Sequence, residues 1–424
     1  MGELSRQRIA VVGAGIAGVV SAFLLQQDHE VTLYERNESL EGRASTIVIP
    51  PGPDGGLAVD PGFIFLNRKT SPLFERFLRR MNVPLERTDI SFSCHDRKSG
   101  LVYSGRNLIT LFADPWDLFR ASFWGLLRRI MRFNGTTRKM LLEGNLTGLS
   151  LGEYVEREKI DRSLVDFYVI PMAAAIWPGA DADVLGFPAE VFARFYENQG
   201  LLSSSDPPEW SLVKGGRPSL VRSFRNGFQG EIRLTDPVVS VGRTRQGAWV
   251  KTRSGTQEDF DRIVLATHAD EALQMLDQPL PEETRLLSPW KYTNTRAVLH
   301  TDASFLPPRR RAWASWNYLT DEEEKEHSPV TVTYHLNPLE HLRADREYFV
   351  TVNPSKPIPP EKNLAETVYR RPLFTFDSLA TQKRLPFLNG NGSVFFCGSY
   401  FGYGFHEDAV RSAVDVGRHF GMKL

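Results

Sequence analysis

The stretch RIAVVGAGIAGVVSAFLLQQDHEVTLYE, residues 8–35, leaves this chain little choice of fold at its amino end. A β-branched run meets three glycines, then an apolar helical pattern, then a second strand-like run. That order predicts a strand, a tight turn, a helix and a parallel strand. Gly13 permits the turn, Gly15 lets the backbone approach a pyrophosphate, and Gly18 lets the helix pack on the strand. Ala17 lies in the same turn. Glu35 ends the second strand near the ~20-residue offset at which a carboxylate accepts from ribose hydroxyls, with Arg36 just beyond it. The positive end of the helix dipole would face the pyrophosphate. The apolar part of this stretch, after Arg6 and Arg8, also has the length of a signal-peptide core or a short membrane span. Regular glycines and the return of a strand at VTLYE favour the folded unit.

The 424 residues are enough for two to three domains. The formal net charge is zero, so no nucleic-acid partner is expected. Cys94 and Cys397 are far apart and form no CxxC pattern, which suits a reducing, cytoplasmic setting. No second GxGxxG follows a strand, so a dedicated NADPH domain is not expected.

Downstream pieces extend the nucleotide reading. Gly42 and Arg43 in EGRAST follow the ribose acid, where a basic side chain would neutralise diphosphate charge. Gly62 in VDPGF, before Phe63, would let backbone approach a flat ring system. A turn glycine and a solvated arginine are the plainer alternative for that piece. Residues 232–270 read as short alternating strands and then a buried strand, RIVLAT. GSVFFCGS supplies another strand, followed by a loop rich in glycine and rings, YFGYGFHEDAV. Its last part opens a helix whose buried face is Ala409, Val410, Ala413, Val414 and Val416. Glu407 and Asp408 are expected to cap that helix. His406, Glu407 and Asp408 are consecutive and converge poorly, so no metal site is expected.

These motifs resemble the FAD-dependent oxidoreductases of the flavin amine oxidase superfamily, the group of monoamine oxidases and phytoene desaturases. VVGAGIAG with Glu35, EGRAST, VDPGF, DPVVSV, RIVLATH and VFFCGSYFGYGFHEDAV carry the likeness. TDISFSC, FYVIPMAAAIWP, NTRAVLHTD, AWASWNY and GYGFHEDAVRSA resemble a bacterial group similar to the amino-terminal flavoprotein half of plant cyclopropane fatty acid synthases. The resemblance implies an α/β fold: a Rossmann-like FAD domain of the two-dinucleotide type with an inserted α+β substrate domain. It places the FAD domain at residues 1–70, 206–290 and 386–424, and the substrate domain at 71–205 and 291–385. It further implies that Val238, Gly398, Ser399, Phe405 and His406 contact FAD, the last two at the flavin's pyrimidine edge. Glu41 stands where the superfamily usually has glycine, and Ser399 and Tyr400 stand where it has an acid. Cys397 lies too early for a covalent flavin link, so noncovalent FAD is expected.

Residues 71–205 are mostly helical in pattern. In PWDLFRASFWGLLRRIMRF, rings and apolar residues recur at helical spacing with Arg128, Arg129 and Arg132 opposite. Two readings stand: a core-facing helix with a solvated basic face, or a helix lying at a membrane surface. Arg309, Arg310 and Arg311 beside Trp313 are a second candidate anchor. From Lys291 to about Asn353, strand-like runs predict a sheet over one flavin face, with His300, Asn317, Tyr334 and His335 as its polar candidates. Tyr334, His335 and Tyr400 are the candidate catalytic side chains, although the flavin would carry the chemistry. The expected reaction takes hydride from an organic substrate onto flavin N5. The close resemblance implies a fatty acyl or lipid substrate and a methyltransferase- or cyclopropane-synthase-like partner. An amine substrate, caged by Trp177, Tyr334 and Tyr400, and a non-catalytic FAD scaffold are the alternatives.

Overall fold

The structure is a computed structural model that describes residues 6–40, 46–62, 64–88, 90–96, 102–104, 121–176, 184–202, 208–320, 331–390 and 392–424. Its nucleotide half is a parallel sheet of β1 (Arg8–Val12), β2 (Glu30–Glu35), β3 (Glu231–Leu234), β4 (Arg262–Leu265) and β5 (Val394–Phe396). The strand order is β3-β2-β1-β4-β5. Both faces are covered, so β1 carries a continuous apolar run, with Ile9, Ala10 and Val11 fully buried. On one face lie α1 (Ile16–Leu25) and α2 (His406–His419), packed through Val20 and Leu24 against Ala413 and Val416. The expected apolar face of α2 is buried as read. On the other face lies a three-stranded meander, Val238–Arg243, Ala248–Thr252 and Gln257–Phe260.

The second half is built on a seven-stranded sheet. Its order is Asn363–Leu373, Lys291–His300, Phe349–Val352, Thr331–His335, Trp316–Thr320, Phe92–Asp96 and Val102–Ser104. All neighbours are antiparallel except Phe92–Asp96, which runs parallel to Trp316–Thr320. Residues 71–205 are therefore less uniformly helical than their pattern predicts. Helices Pro72–Arg80, Ala121–Leu142, Leu151–Arg157 and Ala189–Asn198 are present. Phe92–Asp96 and Val102–Ser104 instead join the large sheet, and Leu85–Arg87 pairs with Trp210–Val213. Each of these strands is short and finds its partner more than a hundred residues away or through one, so local periodicity is weak evidence for it. The segment around FYVIPMAAAIWP forms a π-helical turn, Val165–Val169, and the helix Ile170–Ile176; Trp177 lies outside the described residues.

Candidate active site

A cavity of about 1090 Å³ runs from the glycine turn to the large sheet. That volume is at the upper end of the ~300–1,000 Å³ usual for small-molecule sites. Gly13, Gly15, Ala17, Glu35 and Arg36 line its first end. The three glycines do different jobs there. Gly13 has φ +97°, and a Cβ on it would lie 2.9 Å from the Ala266 carbonyl. Gly18 sits behind the turn, where a Cβ would fall 1.8 Å from the Gly13 oxygen. At Gly15 a Cβ would meet nothing within 4 Å, because the position opens into the cavity. Bare backbone at the start of α1 thus forms a cradle that fits a diphosphate.

Glu35 is fixed at the mouth of that cradle. Its Oε2 accepts from Ala14 N at 2.9 Å, and its Oε1 accepts from Asn37 N at 3.0 Å. Oε1 also accepts from Asn37 Nδ2 at 2.5 Å, so it is Oε2 that keeps acceptor capacity for a hydroxyl. Arg36 pairs with Glu271 at 3.0 Å, and Glu271 also pairs with Arg370 at 2.9 Å. Val238 lines the same end from the meander. Gly42, Arg43 and Phe63 lie outside the described residues. Gly62 lines the cavity midway, its N–H donating to Asp60 Oδ1 at 2.9 Å.

The carboxyl-terminal loop forms the floor. Gly398, Ser399 and Tyr400 line the cavity, and a Cβ on Gly398 would collide with the Tyr400 ring at 2.6 Å. Gly404, at φ +92°, turns the chain into α2, whose Phe405, His406 and Ala409 also line the cavity. Asp408 caps α2 as expected, with Oδ2 accepting from Phe405 N at 3.1 Å and from Tyr403 N at 2.8 Å. Glu407 does not. Its carboxylate accepts from Leu73 N at 3.3 Å and Phe74 N at 2.9 Å, so it caps the helix Pro72–Arg80, where Ser71 offers no side-chain cap. The third residue of a helix can reach back to its own cap, whereas the second here points sideways to a neighbour. Burial, and then the Arg217 guanidinium, lowers the His406 imidazole to about 4, so it is neutral at pH 7.

The far end belongs to the large sheet. Trp316 pairs with Tyr334 and Tyr334 with Val350, and all three line the cavity with Val352. His335 follows Tyr334 and so faces the other way, where Nε2 meets Glu347 Oε2 at 2.7 Å. His335 is thereby excluded from the cavity. His300 and Asn317 are satisfied sheet residues as well. His300 Nε2 contacts Thr351 Oγ1 at 2.6 Å, and the Asn317 amide donates to Ala314 O at 2.6 Å and Thr333 O at 3.2 Å. Trp313 is also no exposed anchor. Its indole N–H donates to Pro307 O at 2.8 Å, and Arg310 lies over its ring while pairing with Glu347.

Sequence reasoning missed the cations of this end. Arg217 follows Gly215 and Gly216, both at positive φ, and a glycine pair ahead of a helix was the signal available. A Cβ on Gly216 would lie 2.7 Å from Asp60 Oδ2, which instead accepts from Arg217 N at 2.9 Å. The Arg217 side chain then reaches Gly62 O at 2.8 Å. Arg371 and Tyr369 come from the strand Asn363–Leu373. Arg371 hydrogen-bonds the Tyr334 phenol. Burial pushes Tyr369 up to about 12 despite the nearby charges of Arg217 and Arg371. Cys397 is buried beside Ser21 and Cys94 lies in its strand; neither lines the cavity.

A nucleotide cradle joined to a walled pocket defines an enzyme that works on a bound cofactor, and sequence comparison says which. The profile of the family described as flavin containing amine oxidoreductase matches residues 16–334. The chain belongs to that family. This flavin-containing amine oxidoreductase is thus an FAD-dependent oxidoreductase. Its fold is that of putrescine oxidase bound to putrescine, at 14% identity and TM-score 0.68 over 98% of this chain and 99% of that one. A CLA-producing fatty acid isomerase from P. acnes aligns at 13% identity and TM-score 0.68 over 99% of both chains. Cyclohexylamine oxidase from Brevibacterium oxydans IH-35A aligns at 14% and 0.65, over 98% and 100%. No curated protein matches in sequence. The likeness to plant cyclopropane synthases finds no support among these matches.

Proposed function

We propose that this oxidoreductase dehydrogenates an acyl chain that carries an acidic group, not an amine. The observation that carries this reading is the charge at the sheet end of the cavity. Its charged side chains among the described residues are Arg217 and Arg371, set among Phe195, Trp316, Val350 and Val352. The acids that line the cavity, Glu35 and Glu271, sit at the glycine end and are engaged there. An ammonium would meet like charge from two guanidiniums, offset in part by the Asp60 carboxylate beside Arg217, whereas a carboxylate would be attracted to both.

In this reading Gly13–Ala17 and Glu35 hold the diphosphate and ribose of FAD, and the first turn of α2 faces its pyrimidine edge. Bound FAD supplies the hydride acceptor. Neither cysteine lines the cavity, which argues against a cysteinyl flavin link and supports noncovalent attachment. Arg217 and Arg371 orient the acid group, and the apolar wall excludes water from the reacting carbon. His406 is neutral and Tyr334 and Tyr369 are held protonated, so none of these three offers an ionised base at the sheet end at pH 7. The reaction therefore suits an activated position, such as an allylic one, that needs no strong base.

The test is anaerobic bleaching of the FAD-loaded protein by unsaturated fatty acids and by primary amines. Bleaching by the acids supports the proposal. Bleaching by amines alone would refute it, and bleaching by neither would favour a non-catalytic FAD-binding partner of a lipid methyltransferase.

A further inference from the structure

We propose that the outer face of the helix Ala121–Leu142 docks on an anionic lipid surface. The core-facing reading of this segment holds for one side of the helix. Leu126, Phe133, Met140 and Leu141 are buried against Phe192 and Tyr196 of the helix Ala189–Asn198. The opposite side is not the polar surface that such a helix usually shows. Trp124 is 48% exposed, Met131 59% and Leu142 71%. At roughly 100° per residue, offsets of seven and eighteen residues return to nearly the same angle, so these three side chains form one line. Leu201, 39% exposed, joins Met131 and Leu142 around a shallow surface groove. Single exposed apolar residues need no explanation, but four gathered on one face do.

Charge identifies the occupant. Arg128, Arg132 and Lys139 run along one flank of the apolar line, with Arg129 beyond them, all exposed. Neither Arg128 nor Arg132 forms an ion pair among the described residues, and Lys139 has only a distant one, to Glu143 at 3.9 Å. Arg138, on the other flank, is held by Glu197 at 2.9 Å. An apolar line with an exposed tryptophan, rimmed by arginine and lysine, complements acyl chains beneath anionic headgroups. No described helix is long and apolar enough to cross a membrane, so this one would lie on the surface. The helix beneath it contributes Phe195 to the active-site cavity, which puts the docking face one helix layer from the pocket. The inference does not depend on the acyl reading of that pocket.

The experiment is co-sedimentation of the FAD-loaded chain with vesicles of phosphatidylcholine, alone or mixed equally with phosphatidylglycerol. The expected result is sedimentation with the anionic vesicles only, weakened by added salt. The double variant Arg128→Glu/Arg132→Glu should lower the vesicle affinity about tenfold or more. Trp124→Ser/Leu142→Ser should lower it as well, with the flavin-to-protein absorbance ratio unchanged in both variants. Failure of the parent protein to sediment with anionic vesicles, or equal binding by variants with intact flavin content, would overturn the proposal.

Discussion

The two ends of the cavity are made of different materials. The glycine end is backbone: a turn, a helix start and one carboxylate, set where an added methyl group would strike a carbonyl. The sheet end is side chains from six separate segments, four strands and two helices, at positions whose backbone would accept other residues. The first end tolerates almost no change and specifies only that FAD binds. The second can be refitted with less disturbance to the fold, and it is the end at which we propose that substrate is chosen.

The sharpest way to break the comparison is Gly18→Ala. Its Cβ would lie 1.8 Å from the Gly13 oxygen, so α1 or the turn must move. Loss of nearly all bound FAD is expected, read as the flavin-to-protein absorbance ratio after gel filtration. A variant that keeps its flavin would show that the glycine end is softer than described. Glu35→Ala comes next. It removes the carboxylate proposed to accept from the ribose and leaves Ala14 N–H without its partner, at roughly 1.5–3 kcal/mol for a charge-assisted bond. FAD affinity should fall about 10- to 100-fold, measurable by fluorescence titration of the apoprotein. At the other end, Arg371→Gln should retain FAD and raise KM for an acidic acyl substrate by about tenfold or more, with a smaller change in kcat. Lost FAD in that variant would merge the two ends into one unit.

The glycine end was legible because its parts lie within one βαβ unit, where spacing in sequence is spacing in space. The sheet end was not. Tyr334 and His335 are neighbours in sequence and both polar, and only the pairing of Tyr334 with Trp316 and Val350 decides which one faces the cavity. The strand Asn363–Leu373 escaped notice because its residues are half-buried or exposed throughout and it carries Pro372, so apolar alternation is faint. Arg371 and Tyr369 were lost with it. Glu407 was assigned to its own helix for a similar reason, since nothing local announces that the helix Pro72–Arg80 needs a cap.

A further expectation concerns pH. Burial lowers His300, and burial with the Arg217 charge lowers His406, both to about 4 from an ordinary 6.5. Between those values the unfolded chain binds protons that the folded chain refuses. Stability should therefore fall as pH drops from 6.5 towards 4, and these two groups should add no slope above that range. Unfolding temperatures across the range would show it. His406→Asn should flatten the slope only in part, because His300 remains.

The placement of β5 and α2 carries a consequence for how the protein is made. β5 closes one edge of the nucleotide sheet, α2 covers α1, and the Glu407 carboxylate finishes the start of the helix Pro72–Arg80. A ribosome delivers all three contributions after the substrate sheet has been synthesised. The glycine turn must wait, without the floor of its own pocket, until the residues from 394 onward have emerged. Cofactor loading is thus a late event, and nascent chains held short of residue 394 should capture no FAD even though every glycine of the cradle has already emerged.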